Sequence, residues 1–168
     1  MIRKGALVAL FVLAGVTLEV CLFARIPLPG ATPDLVAVIV VSLALAFGSR
    51  TGALAGFFGG LAIDIAPPAD SPIGVSALVL CVAGLLVGLA SDPGGRSALA
   101  SIGLAAGACA ATLLVSAIVL GLVGSPRVEW ANMGVLLVTT AAYGAILAAF
   151  VIPLTLRVSR IGQPPVRI

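Results

Sequence analysis

Residues 52–64 read GALAGFFGGLAID. Glycine stands at positions 52, 56 and 60, and the next step of four reaches Asp64. Residues four apart share one face of an α-helix. The stretch therefore predicts a helix with a smooth glycine seam that ends in a carboxylate. Glycine inside a helix costs about 1 kcal/mol relative to alanine. Three in register suit a place where the missing side chains let another backbone approach. Gly52, Gly56 and Gly60 are thus expected to pack tightly, either at the centre of a bundle or against a partner helix.

The surroundings of this seam are apolar. Of the 168 residues, 61% are hydrophobic and 9% charged, and the mean hydropathy is +1.30. A soluble domain carries about 25% charged residues, so this chain could not cover a water-facing surface, and its solvent is hydrocarbon. The formal charge of +3 is spread along the chain and forms no basic stripe, which excludes a nucleic-acid partner. Cys21, Cys81 and Cys109 each sit in an apolar run without CxxC spacing, and there is no histidine. They read as small packing residues, and no metal or cofactor is expected. The opening MIRKGALVALFVLAGVTLEVCLFAR (1–25) has the basic start of a signal peptide but no A-x-A cleavage pattern. It is expected to be an uncleaved first span.

A spanning helix needs about 20 apolar residues, and breakers divide the chain accordingly. Working outward from the seam, one span covers residues 51–66 and stops at Pro67, Pro68 and Asp70. The preceding SRTG (49–52) reads as a short turn, and Pro33 opens a span over 33–48. These two are short and could form a re-entrant pair. Polar loops on both sides favour two crossings. The other spans are 5–24, 72–91, 99–121 and 133–156, separated by PLPG (27–30), SDPGGR (91–96) and SPRVEWAN (125–132). The expected fold is all-α: one integral membrane domain, residues 1–168, built as a six-helix transmembrane bundle.

With the N-terminus inside, Arg3, Lys4, Arg50, Arg96, Arg157, Arg160 and Arg167 fall on the cytoplasmic side, and only Arg25 and Arg127 outside. The positive-inside rule thus places both termini in the cytoplasm. Other spans repeat the small-residue spacing: Gly84 and Gly88; Gly103, Gly107 and Ala111; Ala141, Ala145 and Ala149. With 20 glycines in the chain, some of these arise by chance.

Three acids lie within reach of lipid. Asp34 follows Pro33 at the start of a span, where it can cap free N–H groups and the helix dipole favours it. Asp64 ends its span, where the dipole opposes it. It needs a partner: a backbone N–H of the following loop, a hydroxyl such as Ser71, or a cation. Glu19 lies in the last third of the first span, facing a cavity, meeting a basic partner, or reaching the interface near Arg25. No histidine is present, Lys4 is the only lysine, and GFFGGLAID lacks the Lys-Ser/Thr ending of a phosphate loop. An enzyme is not expected, and no residue is assigned a catalytic role.

The order of these features, from Thr32 to Leu80, resembles the MreD family of bacterial rod shape-determining proteins. A Pro-Asp pair opens a span, here Pro33-Asp34. A short basic turn follows at Arg50, then a glycine-rich helix ending in Asp64, then Gly74 with Ala77-Leu78. The resemblance implies a bundle similar to the substrate-binding subunits of energy-coupling-factor transporters. It also implies a scaffold in the bacterial inner membrane that maintains cell shape during cell-wall elongation. The implied partners are an MreC-like single-pass protein, the peptidoglycan synthases of the elongation complex, membrane lipid and a second copy of the chain. The residues expected to serve packing or interaction are Pro33, Asp34, Gly52, Gly56, Gly60, Asp64 and Gly74. The rival is a vitamin-binding subunit of such a transporter. It is disfavoured because the first span lacks an Ala-x-x-x-Ala pair and because Trp and Tyr occur once each.

Overall fold

The computed structural model describes residues 2–21, 33–66, 73–91, 97–123 and 130–161. Among the described residues six α-helices follow one another: α1 (Ile2–Cys21), α2 (Leu35–Phe47), α3 (Ser49–Ile65), α4 (Val75–Leu89), α5 (Ala98–Leu122) and α6 (Met133–Ile161). A 3-10 turn, Trp130–Asn132, leads into α6. Among the described residues there is no strand.

Lys4–Cys21, Ala98–Leu122 and Trp130–Ser159 are long and apolar enough to cross a membrane. The helices between them are shorter. At 1.5 Å per residue, the 13 residues of α2 and the 15 of α4 extend only about 20 and 22 Å. The hydrocarbon core is about 30 Å thick.

Helix α2 can be short because all but its last turn is shielded from lipid. All residues from Leu35 to Ala44 are buried, and α1, α3, α4, α5 and α6 all pack against it. This explains why its sequence is apolar on every side and has no polar stripe. The polar Ser42 sits in this hub and shares a 3.1 Å hydrogen bond with Thr155 of α6.

Helix α1 begins three residues earlier than expected, at Ile2, and α4 three residues later, at Val75; two further differences change the reading. SRTG (49–52) is not a turn. Gly48 alone reverses the chain, with φ of +89°, a conformation glycine adopts without a Cβ penalty, and Ser49 already begins α3. Helix α6 also runs on to Ile161 rather than ending near Leu156. Pro153 removes one backbone hydrogen bond from it. Beyond the proline, the hydroxyls of Thr155 and Ser159 donate to the carbonyls of Val151 and Leu156, and Thr155 ties this part of α6 to the hub.

The bundle has a polarity. Lys4 of α1, Phe47 of α2 and Thr51 of α3 line one cavity, so α1 and α3 run side by side in the same direction from that end. Helix α2 runs the opposite way. Its N-terminus, bonded by Glu19, and the carboxyl end of α3 at Asp64 therefore lie toward the other end.

Candidate functional site

The seam on α3 is filled by α4. A Cβ built on Gly52 would stand 2.5 Å from the Ala44 Cβ and 2.6 Å from the Gly84 carbonyl oxygen. On Gly56 it would overlap the Leu80 carbonyl. On Gly60 it would stand 2.5 Å from the Ala77 backbone nitrogen. The fit is reciprocal: Cβ atoms on Gly84 and Gly88 would strike the backbones of Gly52 and Ser49. Two helices meet backbone to backbone, and dispersion over that length replaces the missing hydrophobic drive between helices in lipid. Gly59, off the seam, meets Val36 and Val12 instead.

The seam is locked at one end by Asp64. Its side chain is 1% exposed. Oδ2 accepts from the backbone N–H of Gly74 at 2.8 Å and of Ala77 at 3.3 Å, and Oδ1 accepts from Ser76 N–H at 3.3 Å. The carboxylate thus leaves the unfavourable end of its own helix for the favourable end of the next. It satisfies N–H groups that the first turn of α4 leaves without intrahelical partners. Of the three partners the sequence allowed, the backbone N–H groups are in place; Ser71 lies outside the described residues. Gly74 caps α4 with φ of +104°, which disfavours any residue with a Cβ. The spacing from Asp64 to Gly74 and Ala77 is therefore the spacing of one capping device.

The N-terminus of α2 is served by two carboxylates. Asp34 Oδ1 accepts from Ala37 N–H at 2.7 Å, as expected for a cap. Glu19 Oε2, from α1, accepts from Val36 N–H at 2.8 Å. Pro33, buried, precedes the cap and stays outside the helix. Sequence reasoning did not find the target of Glu19. The available signal was the shortness of α2: a helix beginning inside the bundle has several N–H groups to satisfy and no water to do it. Arg25, the neighbour considered for Glu19, lies outside the described residues.

The structure thus gathers Gly52, Gly56, Gly60, Asp64 and Gly74 into one α3–α4 unit and places Pro33, Asp34 and Glu19 at the start of α2. Among the described residues no group of histidine, cysteine and acidic side chains is arranged to hold a metal ion. Cys21 is exposed, Cys81 half-buried and Cys109 buried.

The other glycine pair behaves differently. Gly103 and Gly107 of α5 meet nothing within 4 Å of a built Cβ. With Ala83, Ala90 and Ala111 they line an apolar groove of about 420 Å³ between α4 and α5.

Comparison with known proteins adds one result. Residues 1–157 match the family model described as rod shape-determining protein MreD. No curated protein and no solved structure matches the chain.

Proposed function

This chain belongs to the MreD family of rod shape-determining proteins, and from that premise we propose that it is a non-catalytic scaffold of the cell-wall elongation complex. Family membership and the long apolar helices make it a multi-pass membrane protein that determines cell shape and associates with the rod-shape complex. The finer reading is that it pairs with an MreC-like single-pass protein and so organises peptidoglycan synthases. The observation that carries it is the use made of three carboxylates within the bundle, of which Asp64 is fully buried. All three accept backbone N–H groups at helix N-termini: Asp64 and Glu19 tie one helix to the next, and Asp34 caps its own, so their bonds serve structure rather than proton movement.

In this reading Pro33, Asp34, Gly52, Gly56, Gly60, Asp64 and Gly74 make the bundle rigid, and the partner helix docks elsewhere. The α4–α5 groove offers it a place, because Gly103 and Gly107 leave room for close backbone approach. The protein sits in the bacterial inner membrane with both termini in the cytoplasm. Lys4 and Arg50 support this orientation, being exposed and at the end of the bundle opposite the three carboxylates.

The test is co-purification with an MreC-like protein from membranes. Gly107→Leu is expected to insert and fold normally yet lose the partner. Retained binding by that variant would reject the groove, and failure of the wild-type chain to bind would reject the pairing itself. The rival, a vitamin-binding transport subunit, is checked by thermal stabilisation with a panel of vitamins. A clear stabilisation by one of them would replace the scaffold reading.

A further inference from the structure

A second groove lies between α1 and α3, with a volume of about 810 Å³. Val8, Leu13, Leu54, Phe58 and Ala62 line it, and Lys4 stands at its mouth. Its walls run from Lys4 to Leu13 on α1 and from Thr51 to Ala62 on α3, about 15 Å of helix at 1.5 Å per residue. That is half of a hydrocarbon core about 30 Å thick. Beyond Leu13, α1 closes onto α2: Gly15 lies against Ile39, and Glu19 bonds Val36. The depth is that of one leaflet, which suits an acyl chain and is too short for a helix crossing the whole bilayer.

The mouth is cationic. Lys4, Val8 and Val12 follow one face of α1 at four-residue spacing. Arg50 stands one turn before Leu54 on the groove face of α3. Both cations are exposed, and among the described residues neither forms an ion pair. We propose that this groove binds an anionic phospholipid of the leaflet at the Lys4 end, with one acyl chain between α1 and α3 and the phosphate between Lys4 and Arg50.

The test titrates the purified protein with phosphatidylglycerol and, separately, with phosphatidylcholine, and reads bound lipid by native mass spectrometry. One phosphatidylglycerol is expected to bind about thirtyfold tighter than phosphatidylcholine, the gain given by two basic residues at an anionic headgroup. Lys4→Gln/Arg50→Gln is expected to bring the two lipids to near parity. Ala62→Phe, which fills the groove, should weaken both equally. Equal binding of the two lipids by the wild-type chain, or a preference that survives the double variant, would overturn the proposal. A reporter keeps it testable with both cations intact: Phe58→Trp in a Trp130→Phe background. Acyl-brominated phosphatidylglycerol should quench it more than brominated phosphatidylcholine at the same mole fraction, and equal quenching would contradict the site. Displacement of bound phosphatidylglycerol by a single-pass partner helix would assign the groove to protein and reject the lipid.

Discussion

Helix α4 has two neighbours with glycines at four-residue spacing, and it treats them differently. Toward α3, Gly52, Gly56 and Gly60 are pressed onto the α4 backbone. Toward α5, Gly103 and Gly107 border an open groove. The spacing is the same on both sides, so spacing alone does not make a seam. The α3 side has glycines on both helices, with Gly84 and Gly88 answering Gly52 and Ser49. It also has Asp64, which crosses from one helix to the N-terminus of the other. On the α5 side neither helix carries an acidic residue that could cross in this way. A closed seam needs a smooth partner and a directional lock, and an open one is left as surface.

The strongest way to break this comparison is Gly56→Leu. Its side chain would fall on the Leu80 backbone, which has no rotamer to escape into. A loss of about 3 kcal/mol or more is expected, read as failure to recover monodisperse protein in detergent. Gly107→Leu, by contrast, should purify like the wild type. The lock comes next. Asp64→Ala leaves the N–H groups of Gly74, Ser76 and Ala77 in an apolar surround and is expected to destabilise by about 3 kcal/mol in thermal unfolding. Asp64→Asn, which keeps one acceptor oxygen, should lose about 1 kcal/mol. Glu19→Ala removes one of two acceptors at the start of α2 and is expected to cost about 1 to 2 kcal/mol. An effect as large as that of Asp64→Ala would mean that α2 depends on α1 more than its Asp34 cap suggests. The smallest effect is expected at the hub. Ser42→Ala breaks the bond to Thr155 and should cost about 0.6 kcal/mol, the usual size of an interhelical hydrogen bond in a membrane.

Much of the architecture was legible from residues 52–64 and their surroundings. Hydropathy and breakers gave six helices in order, and the four-residue glycine spacing marked α3 for close packing. Asp34 was legible as a cap because Pro33 and the following apolar run mark a helix start. What hydropathy could not give is which apolar helix faces lipid and which faces protein, since hydrocarbon and leucine are alike as solvents. That is why α2 read as a short crossing rather than as a buried hub. Glu19 was hidden for a related reason. Its partner, the N–H of Val36, belongs to a backbone seventeen positions away, and a backbone group carries no mark in sequence. Gly107 looked like Gly56 because the difference lies in the facing helix.

The most direct measurement adds one methyl group to each seam: thermal unfolding of Gly56→Ala and Gly107→Ala in the same detergent. Gly56→Ala is expected to unfold well below the wild type, because its Cβ meets backbone. Gly107→Ala should unfold at the wild-type temperature or slightly above it, since alanine is the better helix former by about 1 kcal/mol and meets no neighbour. Equal destabilisation of the two variants, or a stable Gly56→Ala, would contradict a closed α3–α4 seam beside an open α4–α5 face.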